Sequence, residues 1–178
     1  MLNKMLALAS CLILLVIVFA VVRAADSITS IAASAPVPAP IQAVMTPYLQ
    51  IHDALAKDSM DGISAAASAL GKAAQGDKIF PGELVKEAQT LSLAKDLGTA
   101  RASFKSLSET LIKVLSDNHL KSGAYVEAFC PMENAHWLQT GTTVSNPFGA
   151  SMATCGSIVS GKAEPAATAC PMSGGCCN

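Results

Sequence analysis

The fold class predicted from the sequence is a small all-α domain, a three- or four-helix bundle followed by an ordered but irregular C-terminal loop region. Three observations carry that expectation. Apolar residues recur three and four apart from Tyr48 to Leu115, the spacing that gathers side chains on one face of an α-helix. Alanine occupies many facing positions while aromatic residues make up only 4% of the chain, so the core is built mainly of Ala, Leu and Ile and helices are able to approach closely. After Lys121-Ser122-Gly123 the period stops, and glycine, Pro131 and Pro147 interrupt any helical pattern.

Taken in order, Lys4 precedes an apolar run of 17 residues, Leu6 to Val22, closed by Arg23-Ala24-Ala25-Asp26. A basic head, an apolar centre and small residues beyond it make residues 1–24 a signal peptide, with cleavage after Ala24. The run is also at the short end of a bilayer span, so an uncleaved inner-membrane anchor facing the periplasm is the alternative. Leu8-Ala9-Ser10-Cys11 imitates a lipoprotein cleavage box, but most of the apolar run lies after it. Residues 25–46 are Ala, Ser, Thr and Pro, with Pro36, Pro38 and Pro40 alternating with small residues, and read as an extended linker.

The bundle domain is expected over residues 47–159. Thr46 is the expected N-cap and Pro47 the first helical residue, with Tyr48, Ile51 and Leu55 forming one stripe to about Asp58. Asp61 is the expected cap of a second helix carrying Ile63, Ala66, Ala67, Leu70 and Ala74, stopped by Gly76 and folded back on the first. Pro81 opens a third, with Leu84, Ala88, Leu91 and Leu93 inward. Leu97, Ala100, Phe104, Leu107, Leu111, Val114 and Leu115 continue the period to Asn118, and Gly98 either divides this stretch into two helices or weakens one. Beyond Gly123, Tyr125, Val126 and Phe129 are scattered, Trp137 pins the segment to the bundle, and Asn146-Pro147-Phe148-Gly149 is a turn. The region to Gly156 reads as an ordered loop or short helix with short strands, and residues 160–178 as a flexible tail.

Charge and motif content exclude several function classes. The chain holds 12 Lys/Arg and 13 Asp/Glu; Lys4 and Arg23 lie in the leader, so the mature part is net acidic and carries no electrostatic footprint for nucleic acid. No stretch after the leader is apolar enough to span a bilayer, so no membrane span is expected once the signal is removed. No His-Glu-x-x-His run, Gly-x-Ser-x-Gly elbow, phosphate-binding glycine loop or thioredoxin-like Cys-x-x-Cys occurs, which argues against an enzyme.

Sulfur is the informative chemistry. Of six cysteines, Cys11 lies in the leader, and Cys130, Cys155, Cys170, Cys176 and Cys177 all follow the helical region. A disulfide framework distributes an even number of cysteines through the fold. Cys-Pro-Met occurs at 130–132 and again at 170–172, and Met152 precedes Cys155 by three residues. Thiolate with thioether selects soft ions, so copper(I) is the expected ligand, with silver(I) or zinc(II) as alternatives. The candidate ligands are Cys130, Met132, Met152 and Cys155, with His136 beside them, His119 within reach from the last helix, and a second cluster of Cys170, Met172, Cys176 and Cys177 in the tail. Plainer readings stand next to these: a Cys130–Cys155 disulfide closing a loop, Met132 and Met152 as core gap-fillers, and His136 and His52 as surface neighbours.

The stretch Tyr48-Leu49-x-Ile51-x-Asp53-Ala54-Leu55-Ala56-x-Asp58 resembles the opening helix of the DUF3347 family, exported helical domains of formerly unknown function found alone or attached to membrane-fusion subunits of heavy-metal efflux systems. The likeness continues through Phe104 to Leu111 and on through Cys130-Pro131-Met132, Trp137-Leu138, Asn146-Pro147-Phe148-Gly149, Met152 and Cys155-Gly156. It implies a helical bundle whose C-terminal loops handle copper or silver in the periplasm, a periplasmic subunit of a heavy-metal efflux pump as partner, Cys130, Met132, Met152 and Cys155 as the metal residues, and Trp137, Asn146 and Gly149 as shapers of the loops. Phe148 stands where the family usually shows tyrosine, and His136 and the tail cysteines lie outside the pattern. The tail's Cys-Pro-Met is similar to short elements in heavy-metal-binding segments of related efflux proteins.

Overall fold

Among the described residues four helices are followed by a small antiparallel sheet. The computed structural model describes residues 37–120 and 125–159; the leader, most of the expected linker and the whole tail, with Cys170, Met172, Cys176 and Cys177, lie outside them. The helices are α1 (Ala39–Ala56), α2 (Ile63–Gln75), α3 (Gly82–Ser92) and α4 (Leu97–Asp117), and the strands β1 (Tyr125–Cys130), β2 (Ala135–Thr140) and β3 (Ser157–Val159). Each helix packs on the next in sequence, and α4 carries the sheet through β2. Among the described residues no helix is long and apolar enough to cross a membrane.

The expectation of a helical domain holds, but the all-α class does not. The short strands expected beyond Gly123 pair into a three-stranded sheet of order β2-β1-β3, antiparallel throughout, and residues 141–149 between β2 and a short 3₁₀ turn are irregular. The turn at 131–134 joins β1 to β2, in register Cys130↔Ala135 and Ala128↔Trp137. Strands of six residues carry too few alternations to stand out next to helices of three to six turns, and only pairing makes the period of two visible.

The first helix also begins earlier than expected. Pro38 precedes it, Pro40 occupies its first turn, and Pro47 lies inside it. An interior proline removes a helical hydrogen bond at a cost of about 3 kcal/mol. Extending the helix to Ala39 buries Ile41, Val44 and Met45 almost completely, each contributing about 1.5–3 kcal/mol, so burial outweighs the proline. Residues 39–46, read as linker, are therefore part of the bundle. Thr46, read as the N-cap, instead donates its hydroxyl to the Gln42 carbonyl at 2.9 Å.

The later helices follow their expected faces more closely. Gly62, with φ of 76°, precedes α2 where Asp61 was expected, and Gly76 ends it as expected. At Gly71 an added Cβ would lie 3.4 Å from the Ala88 Cβ, so small residues set the α2–α3 approach. Leu84, Ala88 and Leu91 are buried as the period requires, but Leu93, just past the end of α3, is 69% exposed. The long apolar stretch does divide, at residues 93–96 and not at Gly98: Asp96 caps α4 by accepting from the Thr99 N–H and hydroxyl, both at 2.8 Å.

One group in the bundle opposes folding at neutral pH. Glu87 of α3 accepts from the Thr110 hydroxyl of α4 at 3.0 Å, while its other oxygen, Oε2, is buried without a hydrogen-bond partner. Burial is the chief cause that holds its carboxyl above the usual 4.5, and Glu83 and Glu109 add repulsion. A carboxyl raised by folding contributes stability below its unfolded value that is lost as pH rises through the folded one. Glu87→Gln is therefore expected to stabilise the domain at pH 7 by a few tenths of a kcal/mol after allowing for solvent access, raising its unfolding temperature there, and to have no such effect at pH 4. Thermal unfolding at the two pH values measures this.

Candidate metal-binding site

Cys130 ends β1 and Cys155 follows the 3₁₀ turn Ala150–Met152. Their sulfurs face each other at 3.5 Å with relative exposures of 0% and 4%. Strand alternation places Cys130, Ala135 and Trp137 on one face of the sheet, and Trp137, fully buried, shields that face. Its Nε1–H donates to Gln139 Oε1 at 3.1 Å, and an edge-on contact with Phe148 at 5.9 Å continues through Phe104 to Tyr48. Trp137 thus pins the sheet to the bundle, as the sequence suggests.

The loop that presents Cys155 is organised around Asn146, itself completely buried. Its Nδ2–H donates to the Cys155 carbonyl at 2.8 Å, its Oδ1 accepts from the Phe148 N–H at 2.8 Å, and its own N–H donates to the Ala153 carbonyl at 2.9 Å. The Cys155 N–H donates to the Met152 carbonyl at 2.8 Å, which fixes the thioether residue and the thiol residue in one turn. Gly156, with φ of +133°, passes so close to β1 that an added Cβ would lie 2.8 Å from the Phe129 carbonyl oxygen and 3.1 Å from Trp137.

Three groups of the bundle hold this loop from the other side. His52 Nε2 lies 2.9 Å from the Ser145 carbonyl oxygen while Nδ1 lies 2.9 Å from Asp53 Oδ1. Arg101 donates Nε–H to the Pro147 carbonyl at 3.0 Å and Nη2–H to the Leu55 carbonyl at 3.1 Å, and it pairs with Asp58. Asp58 accepts in turn from the Ala150 N–H at 3.2 Å. The Arg101 hydrogen bond, aided by that N–H, holds the Asp58 carboxyl below the usual range. None of these roles was anticipated: His52, read as a surface neighbour, is 2% exposed. Its place four residues after Tyr48 on the apolar face was the available signal. Arg101 and Asp58 join segments 43 residues apart, a separation across which the helical period carries no information.

The remaining candidates separate. Met152 is half-buried against the core, and its Cε would lie 3.5 Å from a Cβ at Gly149. Met132, in the β1–β2 turn, is 61% exposed. His136 lies on the opposite face of the sheet from Cys130, with Nδ1 2.6 Å from Glu127 Oε1 and its ring 4.4 Å from that of Phe129, so it is not beside the thiols. His119 is exposed beyond the end of α4. Among the described residues no group of three or more His, Cys, Asp or Glu side chains is placed to hold a metal.

Residues 44–123 match the family model described as "Protein of unknown function (DUF3347)". The match supports the DUF3347 assignment. It spans most of α1 and all of α2, α3 and α4 and ends before β1, so the DUF3347 match rests on the bundle and the sulfur motifs follow it. No curated protein and no solved structure matches the chain.

Proposed function

We propose that the protein is a periplasmic soft-metal binding protein that sequesters Cu(I), or Ag(I), or relays it to a subunit of a heavy-metal efflux pump. Cys130 and Cys155 hold the ion and Met152 completes the donor set. The observation that carries this reading is the buried, facing thiol pair drawn from two separate motifs. Metal–sulfur bonds of about 2.3 Å at tetrahedral or trigonal angles keep two sulfurs about 3.8–4.0 Å apart. Starting from 3.5 Å, the pair needs to open by only about 0.3–0.5 Å. Two thiols and a thioether suit soft monovalent ions better than zinc(II), which takes four nitrogen or sulfur ligands in closed sites. Loading breaks the S–H bonds and releases those protons to solvent, with no change of metal oxidation state. The apolar wall around Trp137 and the loop's hydrogen bonds exclude water from the bound ion. This role is binding, not catalysis, and the export it requires is supported by the leader in residues 1–24.

Titration of the reduced mature chain with Cu(I) against a competing chelator tests the reading. Replacing both thiols (Cys130→Ser with Cys155→Ser) is expected to weaken binding by at least about 100-fold, the upper end of what loss of a mere supporting group costs. A wild-type affinity no tighter than that of the double variant would sink it.

The same sulfur contact favours a second reading, an envelope interaction module stabilised by a Cys130–Cys155 disulfide. Bond formation needs the sulfurs to close from 3.5 Å to about 2.05 Å, a larger movement than metal insertion requires. Intact mass with and without alkylation under non-reducing conditions separates the two. A quantitative bridge in protein isolated from the envelope supports the module, and reactive thiols protected by added metal support the metal site.

A further inference from the structure

We infer that Met132 is the capture ligand of this site: an exposed thioether that takes the soft ion from its carrier and passes it to the buried thiols, without remaining in the resident donor set. The inference rests on the metal-binding reading above. Its observation is a contrast within one motif. Cys130 is completely buried, whereas Met132, two residues on, is 61% exposed.

An isolated exposed apolar side chain is ordinary on a protein surface, and Leu93 is one. The position of Met132 is not explained that way. The turn at 131–134 reverses the chain directly after the buried thiol, and Pro131 restrains Cys130 to extended backbone, so the thiol points inward while the next sulfur along the chain stands outside. The tip is held in place: Asn134 takes φ of 45°, and Lys105 of α4 donates its Nζ–H to the Glu133 carbonyl at 2.9 Å. Met152, in contrast, packs against the core in the same turn as Cys155. The two thioethers of the motif thus differ: one stands out in solvent, and the other is half-buried against the core.

That division fits a transfer by ligand exchange. A buried thiol pair cannot reach the carrier that brings a tightly held soft ion, and a naked ion does not cross an apolar wall. A thioether has no proton to lose, so Met132 binds first by replacing one ligand of the carrier. Cys130 and Cys155 then form their bonds to the metal as the bond to Met132 breaks. The two thiol protons leave to solvent, and Cu(I) stays Cu(I).

A ligand used only in passage lowers the barrier in both directions and leaves the equilibrium unchanged, whereas a resident ligand changes the affinity. Stopped-flow mixing of the reduced mature chain with Cu(I) held by bathocuproine disulfonate gives the loading rate, and excess chelator gives the unloading rate. Met132→Leu, which keeps the volume at an exposed position, is expected to slow both by about tenfold and to leave Kd within about twofold, while Met152→Leu weakens Kd. Should Met132→Leu weaken Kd as much as Met152→Leu, Met132 is a resident ligand. If it changes neither rate, it is a bystander. Either result overturns the inference and leaves the binding site standing. If the wild-type chain takes no Cu(I) from the chelator, the binding reading fails and the inference with it.

Discussion

Gly156→Ala is expected to destabilise the domain by about 2–5 kcal/mol and to expose the thiol pair. Two costs combine. At φ of +133° an L-residue occupies backbone that essentially only glycine adopts, worth about 1–3 kcal/mol. The new methyl would also lie 2.8 Å from the Phe129 carbonyl oxygen, a backbone atom fixed by its place in β1, and overpacking of this kind costs about 1–3 kcal/mol more. Relief requires β3 to move off β1 or Trp137 to shift, and either change opens the wall around Cys130 and Cys155. Gly149 is the control from the same loop. Its φ of 164° is ordinary extended backbone, and an added Cβ would make a 3.5 Å contact with the movable end of Met152, so Gly149→Ala is expected to cost less than about 1 kcal/mol. Chemical denaturation of the two variants, with the rate of thiol modification by a soluble disulfide reagent in native buffer, measures both effects. Equal costs at the two glycines would refute this account of the loop.

The two glycines also mark where sequence reading works and where it stops. The chain pattern singles out both as part of one loop motif, but only the approach of Gly156 to β1, with its register Phe129↔Ser157, says which one is indispensable. The same division runs through the fold. The faces of α2, α3 and α4 are legible because a local 3.6 period decides which side chains are buried, and Leu84, Ala88 and Leu91 follow it. The local pattern starts α1 at Pro47 because proline favours a helix N-terminus, whereas the burial of Ile41, Val44 and Met45 starts it at Ala39. Short strands beyond Gly123 are legible but their pairing into a sheet is not, for a related reason: Tyr125–Cys130 and Ala135–Thr140 are short, and their alternation is confirmed only by each other. In the site, the residue types were legible and their distances were not. The sequence pairs Cys130 with Cys155, as a disulfide or as ligands of one ion, and their sulfurs face each other, whereas His136, near Cys130 along the chain, is sent to the other face by one step of strand alternation. The hold of His52, Arg101 and Asp58 on the loop depends on contacts between distant segments, so no window of sequence contains it.

Tyr48→Phe is expected to cost about 2–4 kcal/mol although it removes a single oxygen. The Tyr48 hydroxyl sits where α1, α4 and β2 meet. It accepts from the Leu138 N–H at 3.0 Å and contacts Ser108 Oγ at 2.8 Å, and Tyr48 and Ser108 are both completely buried. With one proton to donate and lone pairs to accept, the phenol serves the two partners together. Burial pushes its ionisation well above the ordinary tyrosine range, so it remains a neutral hydroxyl throughout any practical pH. Removing the oxygen leaves a buried strand N–H and a buried hydroxyl without that partner, and each such loss costs about 1–3 kcal/mol. Ser108→Ala is expected to cost less, about 1 kcal/mol, because the phenol keeps the Leu138 N–H satisfied. The pair should therefore be non-additive: once Ser108 is alanine, removing the Tyr48 hydroxyl strands one group where it had stranded two. A double-mutant cycle by denaturant unfolding reads this as a coupling of about 1 kcal/mol. Since Leu138 follows Trp137 in β2, the loss at Tyr48 loosens the sheet from the bundle, and the Tyr48→Phe variant should also show faster thiol modification at Cys130 and Cys155. Destabilisation without that change in reactivity would show that the sheet keeps the thiols covered without its anchor on α1.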